Sequence, residues 1–157
     1  MKFVDMDSII ESRSGTTIAN MFAQKGEPHF RQLERNLLTE LSAASGQVIS
    51  TGGGVPVDPA NREVMAKSGL VIRLKASPET ISARLTRGQK SRGGTVRPLL
   101  GEAAPVGQIK EILEAREQAY ASADVTIDTE FRTTQSVADE ISAVWQSVTS
   151  LQSDHSE

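Results

Sequence analysis

The sequence predicts a single α/β domain with a parallel sheet, and three observations predict it. Short apolar runs of strand type, Gln47-Val48-Ile49, Leu70-Val71-Ile72-Arg73-Leu74 and Val125-Thr126-Ile127, alternate with helical patterns. Two of the helices open with an N-cap residue and a first-turn proline, Asp58-Pro59 and Ser77-Pro78. The glycine run Ser50-Thr51-Gly52-Gly53-Gly54-Val55 falls between a strand and a helix, where α/β sheets place their ligands. Three consecutive glycines let a ligand approach the backbone closely, and would serve equally as a plain flexible turn. With 157 residues, 38% of them hydrophobic and 24% charged, the chain is long enough to bury the core of one domain.

Bulk composition excludes several classes. A net charge of −3 argues against non-specific nucleic-acid binding. The absence of cysteine rules out disulfides, thiolate metal sites and a cysteine nucleophile. With only two histidines, His29 and His155, a histidine-based metal site is not expected. No signal peptide and no apolar stretch of membrane-spanning length is visible. The expectation is a cytoplasmic monomer with no membrane or nucleic-acid partner.

In chain order, Lys2-Phe3-Val4 is a brief strand running into Asp5-Met6-Asp7. Carboxylates at i and i+2 of a strand share a face, which at the strand's C-terminal end looks into the ligand crevice. That pair suits a metal ion or a proton, and equally a helix cap, since Ser8-Ile9-Ile10-Glu11 comes directly after it. Residues 18–24 form a short helix with Ile18, Met21 and Phe22 as its apolar face, and Gly26-Glu27-Pro28 opens a longer one. Its stripe is Phe30, Leu33, Leu37, Leu38 and Leu41, with Gly46 expected as the C-cap. Arg31 and Glu34 are three apart and can pair, whether in a site or as a solvated salt bridge.

Residues 59–68 are helical and close at Gly69; after the next strand, Ile81 and Leu85 mark a further helix. Gly88-Gln89-Lys90-Ser91-Arg92-Gly93-Gly94 is basic and glycine-rich in an acidic chain. It reads as part of a lid over an anionic ligand, about residues 88–104, or as an ordinary surface loop. Residues 108–119 are helical, with Ile109, Ile112 and Leu113 inward and Arg116 one turn on. The last strand ends in Asp128-Thr129, and residues 134–150 form the closing helix with Val137, Ile141, Val144 and Val148 inward. Residues 1–151 make one domain, and 152–157 are expected to be a disordered tail.

Taken together, Phe3-Val4-Asp5-Met6-Asp7, Gly26-Glu27 with Phe30-Arg31 and Glu34, Ser50-Thr51-Gly52-Gly53-Gly54, Arg97-Pro98-Leu99-Leu100, and Arg116 with Tyr120 resemble the ordered motif set of the shikimate kinases. The resemblance runs from Lys2 to about Val148. It implies a P-loop kinase fold, a parallel sheet of order 2-3-1-4-5 sandwiched by helices, and transfer of the γ-phosphate of ATP to the 3-hydroxyl of shikimate with Mg²⁺. Carried over by motif, Asp7 hydrogen-bonds shikimate and receives the proton of the attacking hydroxyl. Arg31 and Arg116 clamp the carboxylate, Glu34 orients Arg31, and the Gly53 and Gly54 amides touch substrate. Asp5 helps hold the Mg²⁺ shell, Arg97 on the lid reaches the transferring phosphate, and Arg132 packs against adenine. Lys90 or Arg92 would be a further basic lid group toward ATP. A non-catalytic shikimate kinase-like binding protein, or another small-molecule kinase of the same fold, is the alternative.

One departure from the family pattern stands out. In the family a strand and a Walker A loop (Gly-x-x-x-x-Gly-Lys-Ser/Thr) precede the Asp-x-Asp strand. The 157 residues contain no such loop, and Gly88-Gln89-Lys90-Ser91 comes nearest. The corresponding strand-loop-helix unit would be about 30 residues, and its strand would be the central one. The expectation is a sheet lacking its first, central strand, with a gap between the strands ending at Ile49 and Leu74. These residues alone are expected to carry no ATP-dependent turnover.

Overall fold

A computed structural model describes residues 1–91 and 105–153. Strand β1 (Lys2–Asp5) leads into helix α1 (Met6–Ser14), then α2 (Ile18–Ser42), β2 (Gln47–Ser50) and a short 3-10 turn (Val55–Val57). Next come helix α3 (Pro59–Ser68), β3 (Ile72–Lys75), α4 (Pro78–Ser91), α5 (Val106–Tyr120), β4 (Val125–Asp128) and α6 (Thr134–Ser153). β1 pairs in parallel with β2, and β3 with β4, as two separate two-stranded sheets. Between β2 and β3 lies a cavity of about 860 Å³, lined by Ile49 and Ser50 on one side and Ile72, Arg73 and Leu74 on the other.

The core belongs mainly to the first half. Met6, Ile10, Met21, Phe30, Leu37, Leu38 and Val55 form one buried cluster, with the Phe22 and Phe30 rings 5.0 Å apart and tilted by 48°. The spacing of Phe30, Leu37 and Leu38 is that of one helix face, so α2 packs as its stripe requires. Strand alternation does the same for β1 and β2: Val4 is buried and its ladder partner Ile49 half-buried, while Phe3 and Val48, also opposite one another, are exposed.

Local chemistry explains the boundaries. Thr17 caps α2 by accepting from the Asn20 amide at 3.2 Å. At Gly26 the helix is broken by a backbone at φ 77° and ψ 168°, a conformation costly for a residue with a Cβ. Pro28 then sits in the first turn of the second segment, where its missing N–H is no loss. This is the predicted division between a short and a long helix. Asp58 caps α3 by accepting from the Ala60 amide at 2.9 Å, and Arg35 of α2 holds the same carboxylate at 2.6 Å.

Four expectations are corrected. β1 ends at Asp5, whose Oδ1 accepts from the Ser8 amide at 2.9 Å and starts α1; Asp7 therefore stands in the first turn of a helix, not on a strand face shared with Asp5. α2 ends at Ser42 with Ala43 as its cap. Gly46, at φ 73°, turns the chain into β2, and its carbonyl accepts from the Lys2 amide at 3.0 Å. α4 runs through Gly88 to Ser91, because one glycine among helix-forming neighbours costs only about 1 kcal/mol. α6 likewise includes Gln152 and Ser153, since no glycine or proline after Thr134 stops its propagation. Residues 92–104 of the expected lid, Arg92 and Arg97 among them, and residues 154–157 of the expected tail lie outside the described residues. Among those described, no helix is long and apolar enough to cross a membrane.

Candidate functional site

Parallel pairing in register places the C-terminal ends of β1 and β2 side by side, Asp5 opposite Ser50. The segments leaving those two ends therefore meet: α1 carries Asp7, and β2 runs into the glycine turn. The Val55 amide donates to the Gly52 carbonyl and the Val57 amide to the Gly54 carbonyl, both at 3.1 Å. The turn is braced from behind. Val55 is fully buried, Asn61 Nδ2 donates to its carbonyl at 3.0 Å, and Arg62 Nη1 donates to the Pro56 and Val57 carbonyls at 2.8 and 3.0 Å.

None of Gly52, Gly53 and Gly54 has a positive φ. Their requirement is space. A Cβ at Gly52 would lie 3.2 Å from both Asp7 Oδ1 and Glu34 Oε1. One at Gly53 would lie 3.2 Å from the Tyr120 hydroxyl and 3.8 Å from Arg116 Nη1. One at Gly54 would fall 2.6 Å from Arg31 Cζ, inside the guanidinium's own volume. Side chains from α1, α2 and α5 thus press on three successive backbone positions.

The α2 side is charged and largely buried. Glu34 is only 2% exposed and accepts from Arg31 Nη1 at 2.5 Å. Glu27, four residues before Arg31, accepts from its Nε and Nη2 at 3.0 and 2.8 Å. The guanidinium also stands 5.5 Å from the Phe30 ring centroid. Burial pushes the Glu34 carboxyl above the usual glutamate range; Arg31 opposes this, while the nearby Asp7 and Glu27 carboxylates add to it. Burial also works against the Arg31 charge, but the hydrogen bonds to Glu34 and Glu27 outweigh it and hold its pKa above the ordinary value.

On the α5 side, the Gly53 carbonyl accepts from the Tyr120 hydroxyl at 2.8 Å and from Arg116 Nη1 at 3.2 Å. The Tyr120 ring lies under Arg73 of β3, with Cζ 5.4 Å from its centroid. Arg73 in turn makes a two-pronged pair with Glu117, at 2.8 and 2.6 Å. Gly52, Gly53, Arg116 and Tyr120 all line the cavity between the two sheets.

Of the residues singled out by sequence, Asp7, Arg31, Glu34, Gly53, Gly54 and Arg116 are brought together at this turn. Asp5 stands at the same sheet end, with one carboxylate oxygen engaged as the cap of α1. Arg132 is elsewhere: it donates to the Ser136 hydroxyl and carbonyl at 3.1 and 2.8 Å and pairs with Glu140, within the start of α6. Lys90 lies on α4, with its side chain outside the described set. Among the described residues, no group of three or more histidine, cysteine, aspartate or glutamate side chains could hold a metal ion. Sequence reasoning quoted Glu27 and Tyr120 within the motif set but gave neither a role. Their spacing, four before Arg31 and four after Arg116, was the available signal, since residues four apart share a helix face.

Comparison with known proteins shows the family and the fold. A family model described as shikimate kinase matches residues 1–146. A shikimate kinase of Caldanaerobacter subterraneus subsp. tengcongensis is 38% identical over 139 residues, covering 88% of this chain and 78% of the relative. One of Symbiobacterium thermophilum is 41% identical over 140 residues, covering 88% and 78%. Among solved structures, a shikimate kinase from Acinetobacter baumannii in complex with shikimate superposes with a TM-score of 0.83 at 31% identity, covering 93% of this chain and 79% of that one.

The site's packing and charge lead to two expected outcomes. Gly54→Ala is expected to displace Arg31 from Glu34 and lower stability by about 1–3 kcal/mol, the usual cost of overpacking, measured by urea unfolding. The second concerns pH. Because its pKa is raised on folding, Glu34 keeps in the native state a proton that the unfolded chain releases, so its contribution falls as pH rises through the folded value. The stability of the unmodified protein relative to Glu34→Gln should therefore decline as pH rises from the ordinary glutamate range through the raised folded value. Urea midpoints across that range check this; a difference that grows with pH would mean that Arg31's attraction outweighs burial.

Proposed function

The chain belongs to the shikimate kinase family, and we propose that the groups gathered at the glycine turn form its shikimate pocket. The observation that carries this is the convergence of Arg31 and Arg116, from two different helices, on Gly54 and Gly53 beside Asp7. A guanidinium has five N–H groups, and Arg31 uses three in its bonds to Glu27 and Glu34. Among the described residues that leaves two N–H groups, one on each terminal nitrogen, to donate to a bound anion. Glu27 and Glu34 fix the fork in advance, so little is lost in ordering it on binding.

With the substrate carboxylate held by Arg31 and Arg116, the ring hydroxyls fall toward Asp7 and the glycine amides. As the 3-hydroxyl oxygen forms its bond to the γ-phosphorus and the bond to ADP breaks, the hydroxyl proton passes to the Asp7 carboxylate. Positioning and charge neutralisation carry most of such a reaction.

ATP supplies the phosphoryl group, and Mg²⁺ would neutralise its phosphate charge. Magnesium usually takes one or two protein carboxylates plus water and phosphate oxygens, which Asp5 alone could satisfy. Arg97 would reach the phosphate from the lid and Arg132 would face adenine. The Arg132 edges are tied to Ser136 and Glu140, so any contact with adenine would use the face of the guanidinium. The pocket operates in the cytoplasm of a cell that makes its own aromatic amino acids, in a monomer.

Calorimetric titration with shikimate tests the reading. Arg31→Ala and Arg116→Ala are each expected to weaken binding by about 2–5 kcal/mol, the scale for leaving a buried charge without one of its partners, with folding checked by circular dichroism. Unchanged affinity in both variants would remove these arginines from the pocket. An ADP-release assay on the same samples separates substrate binding from phosphoryl transfer, with binding and no turnover expected of the 157 residues. Turnover matching that of a relative would overturn this.

A further inference from the structure

We propose that Tyr120 is a positioning residue for the substrate site, acting through the Gly53 carbonyl, and that Arg73 and Glu117 hold Tyr120 in place. The inference rests on the pocket proposed above and adds residues with no assigned role in it. Tyr120 contributes no charge to the site, and its hydroxyl donates to Gly53 at 2.8 Å. Arg116, proposed to bind the carboxylate, donates to that same oxygen at 3.2 Å. One carbonyl is therefore the point where α5 is fastened to the glycine turn.

The geometry makes this fastening specific. Tyr120 lies four residues beyond Arg116 on α5, so both side chains project from one helix face. Moving the Gly53 carbonyl would move the Gly54 amide with it, since the two belong to one planar peptide unit. The hydroxyl thus sets the direction of an N–H in the proposed substrate contact as well as the depth of Arg116. Arg73 lies over the other side of the ring and is locked by both oxygens of Glu117. Arg73 belongs to β3, in the sheet across the cavity. The chain Arg73, Glu117, Tyr120, Gly53 therefore fixes the spacing of the two halves where the substrate would sit.

The test uses the unmodified chain and Tyr120→Phe, which keeps the ring under Arg73 and removes only the hydroxyl. With ¹⁵N-labelled glycine, Tyr120→Phe is expected to move the Gly53 and Gly54 amide resonances while leaving Gly15 and Gly69 in place. Shikimate affinity should fall about five- to tenfold, the worth of one hydrogen bond, with the fold retained by circular dichroism. Arg73→Lys, which keeps the charge but not the two-pronged pair, should act in the same direction and add little in the Tyr120→Phe background. Unmoved Gly53 and Gly54 resonances, or full affinity in Tyr120→Phe, would overturn the proposal. If the unmodified chain fails to bind shikimate, the pocket reading falls, and the glycine resonances still decide whether Tyr120 positions the turn.

Discussion

None of Gly52, Gly53 and Gly54 has a positive φ, and what the structure uses is their missing side chains. Asp7 and Glu34 occupy the space beside the first, Tyr120 and Arg116 beside the second, and Arg31 beside the third. A Cβ at Gly54 would displace the Arg31 guanidinium, and one at Gly52 or Gly53 would crowd a carboxylate or the Tyr120 hydroxyl. The rest of the architecture serves this contact. In-register pairing of β1 with β2 brings Asp7 to the turn, the apolar stripe of α2 aims Arg31 and Glu34 at it, and buried Val55 anchors it to the core.

That contact carries an electrostatic cost. A carboxylate as buried as Glu34 is worth little as a stabilising pair, because losing water offsets most of the attraction to Arg31. Its value lies in geometry. Glu34 and Glu27 hold two different edges of one guanidinium, which leaves Arg31 a single orientation. A site for a small, doubly recognised anion gains more from an arginine fixed in advance than from one free to search. The raised pKa of Glu34 and the raised pKa of Arg31 are two results of the same burial and pairing.

The two sheets have no ladder between them, so the halves are joined by helices and side chains across the cavity. Helix α5 does much of this. It presents Glu117 to Arg73 of β3 and Tyr120 to the glycine turn after β2. Ile109 of the same helix is buried, so both of its ends are fixed. The second sheet is tied to α4 and to the end of β4 by polar contacts: Glu130 accepts from the Ser77 amide at 2.9 Å, and Arg84 donates to the Thr129 hydroxyl and carbonyl at 2.8 and 2.7 Å.

The sequence by itself determined the local structure and the candidate residues. Asp58-Pro59 and Ser77-Pro78 marked helix starts, the Phe30, Leu37, Leu38 spacing marked the buried face of α2, and the kink at Gly26 came from a glycine two residues before a proline. These features depend on backbone chemistry within a few residues, which a sequence displays directly. The six residues that converge at the glycine turn were legible because their motifs stand in a recognisable order. Asp7 was misplaced on a strand because a cap and a strand end look alike until the Asp5 oxygen is seen to accept from the Ser8 amide. Only the tertiary structure decided why three glycines stand together, since each answers to a side chain from a different stretch of the chain. Only it showed that Tyr120 and Arg116 share one carbonyl, and that Arg73, from the other sheet, lies against the Tyr120 ring. These contacts reach across 44 residues of sequence from Arg73 to Glu117 and 67 from Gly53 to Tyr120. No local pattern encodes them, because the distance that matters is set by how the strands pair and the helices pack.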